Sequence, residues 1–172
     1  TVLFRIKALL IKKWFGGRAE AAYNDFVKAL LLNDLDAMNE FMSEVALQSF
    51  SNFDIAKSES SKDAPERFYH GFVLGLMVEL SGRFQITSNR ESGFGRYDIM
   101  LTPSDRGRDN AYIIEFKVHK PLKERDLEET VANALKQIDE KQYEEELLSA
   151  GFPSERIRKY GFAFRGKECL IG

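Results

Sequence analysis

Near residue 82 the spacing of apolar positions changes from helical to strand-like. Val2, Ile6, Leu9, Leu10 and Ile11 recur at helical intervals before Gly16 and Gly17, which predicts a helix over Val2–Phe15. A second helix is expected over Ala19–Leu32. A third should follow Asn33 and Asp34, one of them its cap, and carry Leu35, Met38, Phe41, Met42, Val45 and Leu47. Polar SNFDIAKSESSKD then reads as a loop up to Asp63. Asp63 with Glu66 three residues on, and Pro65 in the first turn, resembles a capping box and opens a helix running to about Ser81 and ending at Gly82. Its middle, FYHGFVLGLMVEL, is apolar around nearly its whole circumference, as in a helix buried in a core. Gly71 and Gly75 cost about 1 kcal/mol each there relative to alanine, which close packing against another element should offset.

Beyond Gly82, RFQITSN, RYDIMLT and AYIIEFKV read as three sequential strands separated by Gly-rich SGFG and polar PSDRGRDN. Residues 126–149 predict one long helix with Leu127, Val131, Ala134, Leu135 and Ile138 on one face, stopped by Gly151 and Pro153. IRKYGFAFRGKECLIG predicts two short strands around Arg165–Lys167. The order after the N-terminal helices is α, β, β, β, α, β, with a last strand. Residues 1–55 are expected as a helical segment and 60–172 as the α/β domain, with the polar 51–63 stretch as the boundary.

Composition narrows the class without naming a function. A chain of 172 residues with 44% hydrophobic and 30% charged residues buries an ordinary core without disulfides or structural metals. Its net charge of −2 gives no global sign of a polyanionic partner, so any nucleic-acid contact has to be local. Cys169, beside Leu170 and Ile171, reads as a buried structural thiol, and a reducing cytoplasm is the expected setting. VLFRIKALLIKKWF has lysines throughout its apolar pattern and no cleavage signature, so neither a signal peptide nor a membrane span is expected there.

Two of the strands carry charge among strong β-formers. Glu115 and Lys117 lie two apart in IIEFKV and share one face, opposite Ile114, Phe116 and Val118, and Asp98 lies in the preceding strand. In a hairpin centred near Gly107, Asp98 falls opposite a residue close to Glu115 or Lys117. Burying a lone carboxylate costs several kcal/mol unless it is paired, hydrogen-bonded or metal-bound. One reading is a partly solvated salt-bridge cluster. The other is a site in which Asp98 and Glu115 hold a hard divalent cation and Lys117 orients the attacking water beside a phosphodiester.

These residues carry a resemblance. YDI and EFK on the second and third strands of that order resemble the second and third motifs of the PD-(D/E)XK nuclease superfamily. More narrowly, ERFYHGFVLGL, SNRESGFGRYDIML, IIEFKV and ALKQIDEKQY resemble the group of such domains found C-terminal to an AAA-ATPase-like domain in bacterial proteins. The resemblance covers about residues 64–172 and implies a restriction-endonuclease-like αβββαβ core, with a mixed central sheet flanked by helices and preceded by an N-terminal helical segment. It implies a Mg²⁺-dependent phosphodiesterase, most of all a DNA endonuclease, with Mn²⁺ as substitute. The alternative is a catalytically inactive nuclease-like binding or regulatory module of an AAA-ATPase-type protein; an RNA or nucleotide hydrolase would use the same site. A chain starting at Thr1 without methionine is then expected to be the C-terminal part of a longer protein, and a homodimer would suit cutting of both strands.

The resemblance further implies Asp98 and Glu115 as metal ligands and Lys117 as catalytic lysine; Tyr97 stands where the superfamily's name has proline. A helical carboxylate is expected at Glu66, or else Glu79, although Glu66 also suits the capping box. His70 shares the face of Glu66 and is a candidate for phosphate, metal or Glu66 itself. Gln137 and Lys141 share a helix face off the apolar stripe and match the QIxxKxY pattern of these nucleases, with Tyr143 read as packing at the core edge. Arg90, Arg96, His119, Lys120, Lys123 and Arg125 form a local basic excess suited to a nucleic-acid backbone, or to a solvated face. Ser92, Gly93 and Gly95 make a flexible turn that resembles no phosphate loop.

Overall fold

The computed structural model describes residues 19–49 and 64–172. The helix expected over Val2–Phe15, the polar loop and Asp63 of the capping box lie outside the described residues. Helices α1 (Ala19–Leu32) and α2 (Leu35–Ser49) form a hairpin. It turns at Asn33, whose φ of 58° is a left-handed conformation that asparagine tolerates, and the Asp34 carboxylate accepts from Ala37 N at 3.1 Å as the cap of α2. Helix α3 (Ala64–Leu76) continues as a tighter 3-10 stretch over Met77–Gly82, so the helix read to Ser81 changes pitch after Leu76. Strands β1 (Phe84–Ser92), β2 (Gly95–Pro103) and β3 (Ala111–Val118) form the meander, and β4 (Ile157–Arg165) and β5 (Glu168–Ile171) complete the sheet.

The strand order is β1-β2-β3-β4-β5, antiparallel throughout except for the parallel β3–β4 pair. That parallel step requires a crossover, which α4 (Leu127–Glu140) and α5 (Glu145–Ser149) supply. The single helix expected over 126–149 is thus two: after Lys141 the chain turns through Gln142, at φ 52°, and drives Tyr143 into the core at 1% exposure. Burying that ring is worth more than one further helical turn. Asp126 caps α4 by accepting from Glu129 N at 2.8 Å.

Apolar cores lie on both faces of the sheet. One joins Phe72, Val73 and Leu76 of α3 to Ile99, Ile114, Phe116, Phe162 and Phe164, and continues without a break into Phe26, Leu30, Met38, Met42 and Val45 of α1 and α2. The helical hairpin therefore shares the core of the α/β domain. Asn39 of α2 also donates to Ile171 O at 2.9 Å and accepts from Ile171 N at 2.8 Å, pairing with β5 as a strand would. The other face packs Met100, Ala111 and Ile113 against Ile138, Tyr143 and Leu147.

Some expectations about packing are corrected. Leu47, expected on the apolar face of α2, is exposed. Gly71 faces open space rather than a close neighbour, whereas Gly75 is buried. The close approach is at Gly161 instead: a Cβ there would stand 2.8 Å from Val131 O and 3.0 Å from Ala134 Cβ, so its absence lets α4 lie against β4. Cys169 is buried, and burial pushes its thiol far above the ordinary value, consistent with a structural role. Among the described residues, no helix is long and apolar enough to cross a membrane.

Candidate functional site

The start of β2 and the end of β3 lie at the same end of the sheet, because the two strands run antiparallel. Their ladder holds from Leu101↔Tyr112 to Ile99↔Ile114 and then opens. The next β3 donor, Phe116 N, is taken by the Asp98 carboxylate at 2.8 Å. Asp98 is therefore fixed in the gap between the strands, where its charge is stabilised by a backbone N–H.

A backbone irregularity in β1 accompanies that gap. Asn89, which stands across from Asp98 in a register that is unchanged on either side, has φ 53°. Met100 and Tyr97, three apart and so on opposite faces of an ideal strand, both enter the core beneath α4. The alternation of faces breaks between them, at the level of Asn89. Tyr97 is anchored there by a 2.8 Å hydrogen bond between its hydroxyl and that of Thr87.

Glu115 and Lys117 project toward α4. Gln137 of that helix contacts both: its side-chain oxygen accepts from Lys117 Nζ at 2.6 Å, and its Nε2 donates to Glu115 Oε1. Lys117 Nζ also lies 3.8 Å from Glu115 Oε1. Gln137 reaches this position because Gly161, the partner of Glu115 in the β3–β4 ladder, lets α4 approach. Glu115 is 4% exposed, whereas the Lys117 side chain keeps 25% of its surface open to solvent.

Tyr143 completes the group. Its hydroxyl accepts from Gln137 Nε2 at 3.1 Å and from the Arg96 backbone N–H. Burial, joined by the negative charges of Glu115 and Asp98, holds the phenol above its ordinary value, against the pull of the Gln137 and Arg96 hydrogen bonds. The β1–β2 turn is strapped to the same region by Phe94 N, which donates to Lys141 O at 2.8 Å. Gly93 (φ 59°) makes this possible, since a Cβ there would sit 2.2 Å from Lys141 O.

The expected site residues separate into three sets. Asp98, Glu115, Lys117 and Gln137 converge at the open end of the β2–β3 pair, with Tyr143 added. That tyrosine ends the QIxxKxY pattern but was read as packing, because the turn that aims its hydroxyl is a tertiary feature. His70 approaches from the opposite face, edge-on to Phe116, with Nε2 3.2 Å from Asp98 O and 3.4 Å from Asn89 Nδ2. The side chains of Glu66, Glu79 and Arg90 lie outside the described residues.

Of the basic candidates, Arg96, Lys120 and Lys141 are exposed. Lys141 is the C-cap of α4, one helical turn beyond Gln137, and its N–H donates to Gln137 O at 3.0 Å. His119, expected beside them, is buried at 8% exposure with Nδ1 2.9 Å from Thr130 Oγ1, so its ring faces the interior instead of a polyanion.

Among the described residues, no three His, Cys, Asp or Glu side chains surround a common point as a full metal cage would require. Two carboxylates on adjoining strands are nevertheless the donor set that Mg²⁺ takes, with waters and phosphate oxygens completing its shell. The residues fit such an ion.

A family model described as the PD-(D/E)XK nuclease superfamily, whose members are generally nucleases that use divalent metals, matches residues 64–172. No curated protein and no solved structure matches the chain. The family match begins at the first residue of α3 and runs through β5, more than half of the chain, and by it the protein belongs to the PD-(D/E)XK nuclease superfamily.

Proposed function

We propose that the protein is a Mg²⁺-dependent phosphodiesterase acting on DNA as an endonuclease, with Asp98 and Glu115 holding the ion and Lys117 as the catalytic lysine. The observation that carries this reading is the Gln137 side chain, which joins a buried carboxylate to a solvent-open ammonium at the mouth of the β2–β3 gap. When bound, the ion supplies positive charge to the phosphate oxygens and acidifies water. The chain's own groups do the rest. Phe116 N–H holds Asp98 in place, and Gln137 fixes both the Glu115 carboxylate and Lys117 Nζ. An ammonium has three N–H donors. One goes to Gln137 and one points toward Glu115, which leaves the third for a phosphate oxygen or for the water that attacks in line.

Glu66 and His70 are supporting candidates on the α3 side, and Arg90, Arg96, Lys120 and Lys141 are backbone contacts in this reading. Residues 60–172 would form the nuclease domain and 1–55 the connection to an N-terminal AAA-ATPase-like domain, in a cytoplasmic protein that pairs to cut both strands. The test is cleavage of plasmid DNA with Mg²⁺ or Mn²⁺ by the wild type and by Asp98→Ala and Lys117→Ala. Loss of cleavage in both variants is expected, and cleavage at the wild-type rate in both would sink the assignment.

A second reading rests on the same contacts. Gln137 and Lys117 already meet the Glu115 charge, as they would in a site kept for structure in a regulatory module. Calorimetric titration separates the two, since a purely structural cluster takes up no Mg²⁺ or Mn²⁺ at millimolar concentration.

A further inference from the structure

Three residues beyond Lys117, the loop between β3 and α4 holds KPLKER, Lys120–Arg125. Leu122 at its tip is fully exposed, at 101%. A single exposed leucine carries no meaning alone, since folded surfaces hold many. This one is flanked by Lys120 and Lys123, both exposed, and among the described residues neither forms an ion pair. Arg125 is exposed as well, paired with Glu129 at 3.2 Å.

The loop is held from beneath by a buried polar network. Glu124 accepts from Lys120 N at 2.8 Å, from Thr130 Oγ1 at 2.9 Å and from Asn133 Nδ2 at 3.1 Å. A carboxylate only accepts here, so the Thr130 hydroxyl donates to Glu124 and must itself accept from His119 Nδ1 at 2.9 Å. His119 N in turn donates to Phe164 O at 2.8 Å, tying the loop base to β4. Such a network fixes a loop in one shape before any partner arrives, and so removes an ordering cost from binding.

We infer that Lys120–Arg125 engages duplex DNA beside the reaction site, with Lys120 and Lys123 on phosphates and Leu122 entering the minor groove as a wedge between base pairs. The inference rests on the nuclease reading for its location and on the loop for its chemistry. Three residues of chain span at most about 10 Å, so Lys120 lies within the length of about three base pairs from Lys117. An aliphatic tip has no π-face on which an unpaired base could stack, so a single-strand platform does not suit it. An apolar wedge flanked by cations suits a duplex that is kinked at one step.

The test uses the whole 172-residue chain without divalent metal, so that binding is read apart from cleavage. The probe is a duplex of about 25 base pairs carrying one 2-aminopurine, moved along the sequence. Wild type is expected to raise the fluorescence at one step, and Leu122→Ala to abolish the rise while still binding. Lys120→Ala with Lys123→Ala is expected to reduce the slope of log K against log salt by about 0.9 for each lysine. An undiminished rise in Leu122→Ala, an unchanged slope in the lysine pair, or tighter binding of single-stranded DNA or RNA than of duplex overturns the inference. A protein that unstacks the duplex but cuts nothing with Mg²⁺ keeps the loop assignment and removes the nuclease reading.

Discussion

The side-chain oxygen of Gln137 accepts a hydrogen bond from Lys117 Nζ at 2.6 Å, across the gap between α4 and β3. A neutral amide thus positions a cation, while its other end donates to the anion two residues back along the strand. Gln137→Ala is expected to lower the cleavage rate about 10- to 100-fold, the usual cost of losing a group that orients the site's ligands. The change also takes a hydrogen-bond donor from the buried Glu115 carboxylate, so urea unfolding should show a loss of about 1–3 kcal/mol.

Gln137→Glu keeps the acceptor for Lys117 but sets a second carboxylate against Glu115. Two anions at that distance cannot both ionise easily, so the pair takes up a proton more readily. The acid limb of the pH–rate profile is expected to move to higher pH in this variant. An unmoved limb would separate Gln137 from the groups that titrate in the reaction.

Tyr143→Phe removes the hydroxyl that accepts from Gln137 at 3.1 Å and leaves the ring in the core. The expected outcome is a lowered kcat with KM nearly unchanged and a stability loss of about 1–2 kcal/mol from the lost hydrogen bonds, read by steady-state kinetics and thermal unfolding. A ring that served packing alone would leave kcat where it was.

Gly161→Ala places a methyl group 2.8 Å from Val131 O and 3.0 Å from Ala134 Cβ. Overpacking of this kind costs about 1–3 kcal/mol, which for a chain of this size lowers the melting temperature by about 2–4 °C per kcal/mol. Because Gly161 pairs with Glu115 in the ladder, the displaced helix also carries Gln137 away, and cleavage falls beyond the loss of folded protein.

Far from the site, Arg83 donates through Nε to Asp109 Oδ2 at 2.7 Å and through an Nη group to the other oxygen. The Arg83 hydrogen bonds hold the Asp109 carboxyl below its ordinary value of 3.8, against the opposing effect of burial. A depressed folded value means that this stabilisation is complete above the unfolded value and is lost as the pH falls through the folded one. Asp109→Asn is expected to cost about 1–2 kcal/mol at neutral pH, at the low end for a charged bond because Arg83 is partly solvated. The difference from wild type should vanish in acid below that range, as urea unfolding at several pH values would show.

The parts of the site that could be read from sequence were those that broke a local rule. Glu115 and Lys117 stood out because charge among β-formers is costly, and Ala19–Leu32 and Ala111–Val118 because their periods were unbroken. What sequence hid depends on distant contacts. The left-handed Asn89 facing Asp98 leaves no trace in apolar spacing, and the break after Lys141 follows from the burial of Tyr143. His119 looked like one more surface cation because its partner Thr130 lies on a helix eleven residues away. The shared core of α1, α2 and the sheet was hidden for the same reason, since a helix pattern shows that a face is buried but not against what.

The double hydrogen bond of Asn39 to Ile171 occupies the backbone donor and acceptor that a sixth strand at β5 would need. Exposed borders of sheets are where chains recruit one another, in domain swaps and in aggregates. One side-chain amide thus blocks edge-to-edge growth of the sheet at Ile171.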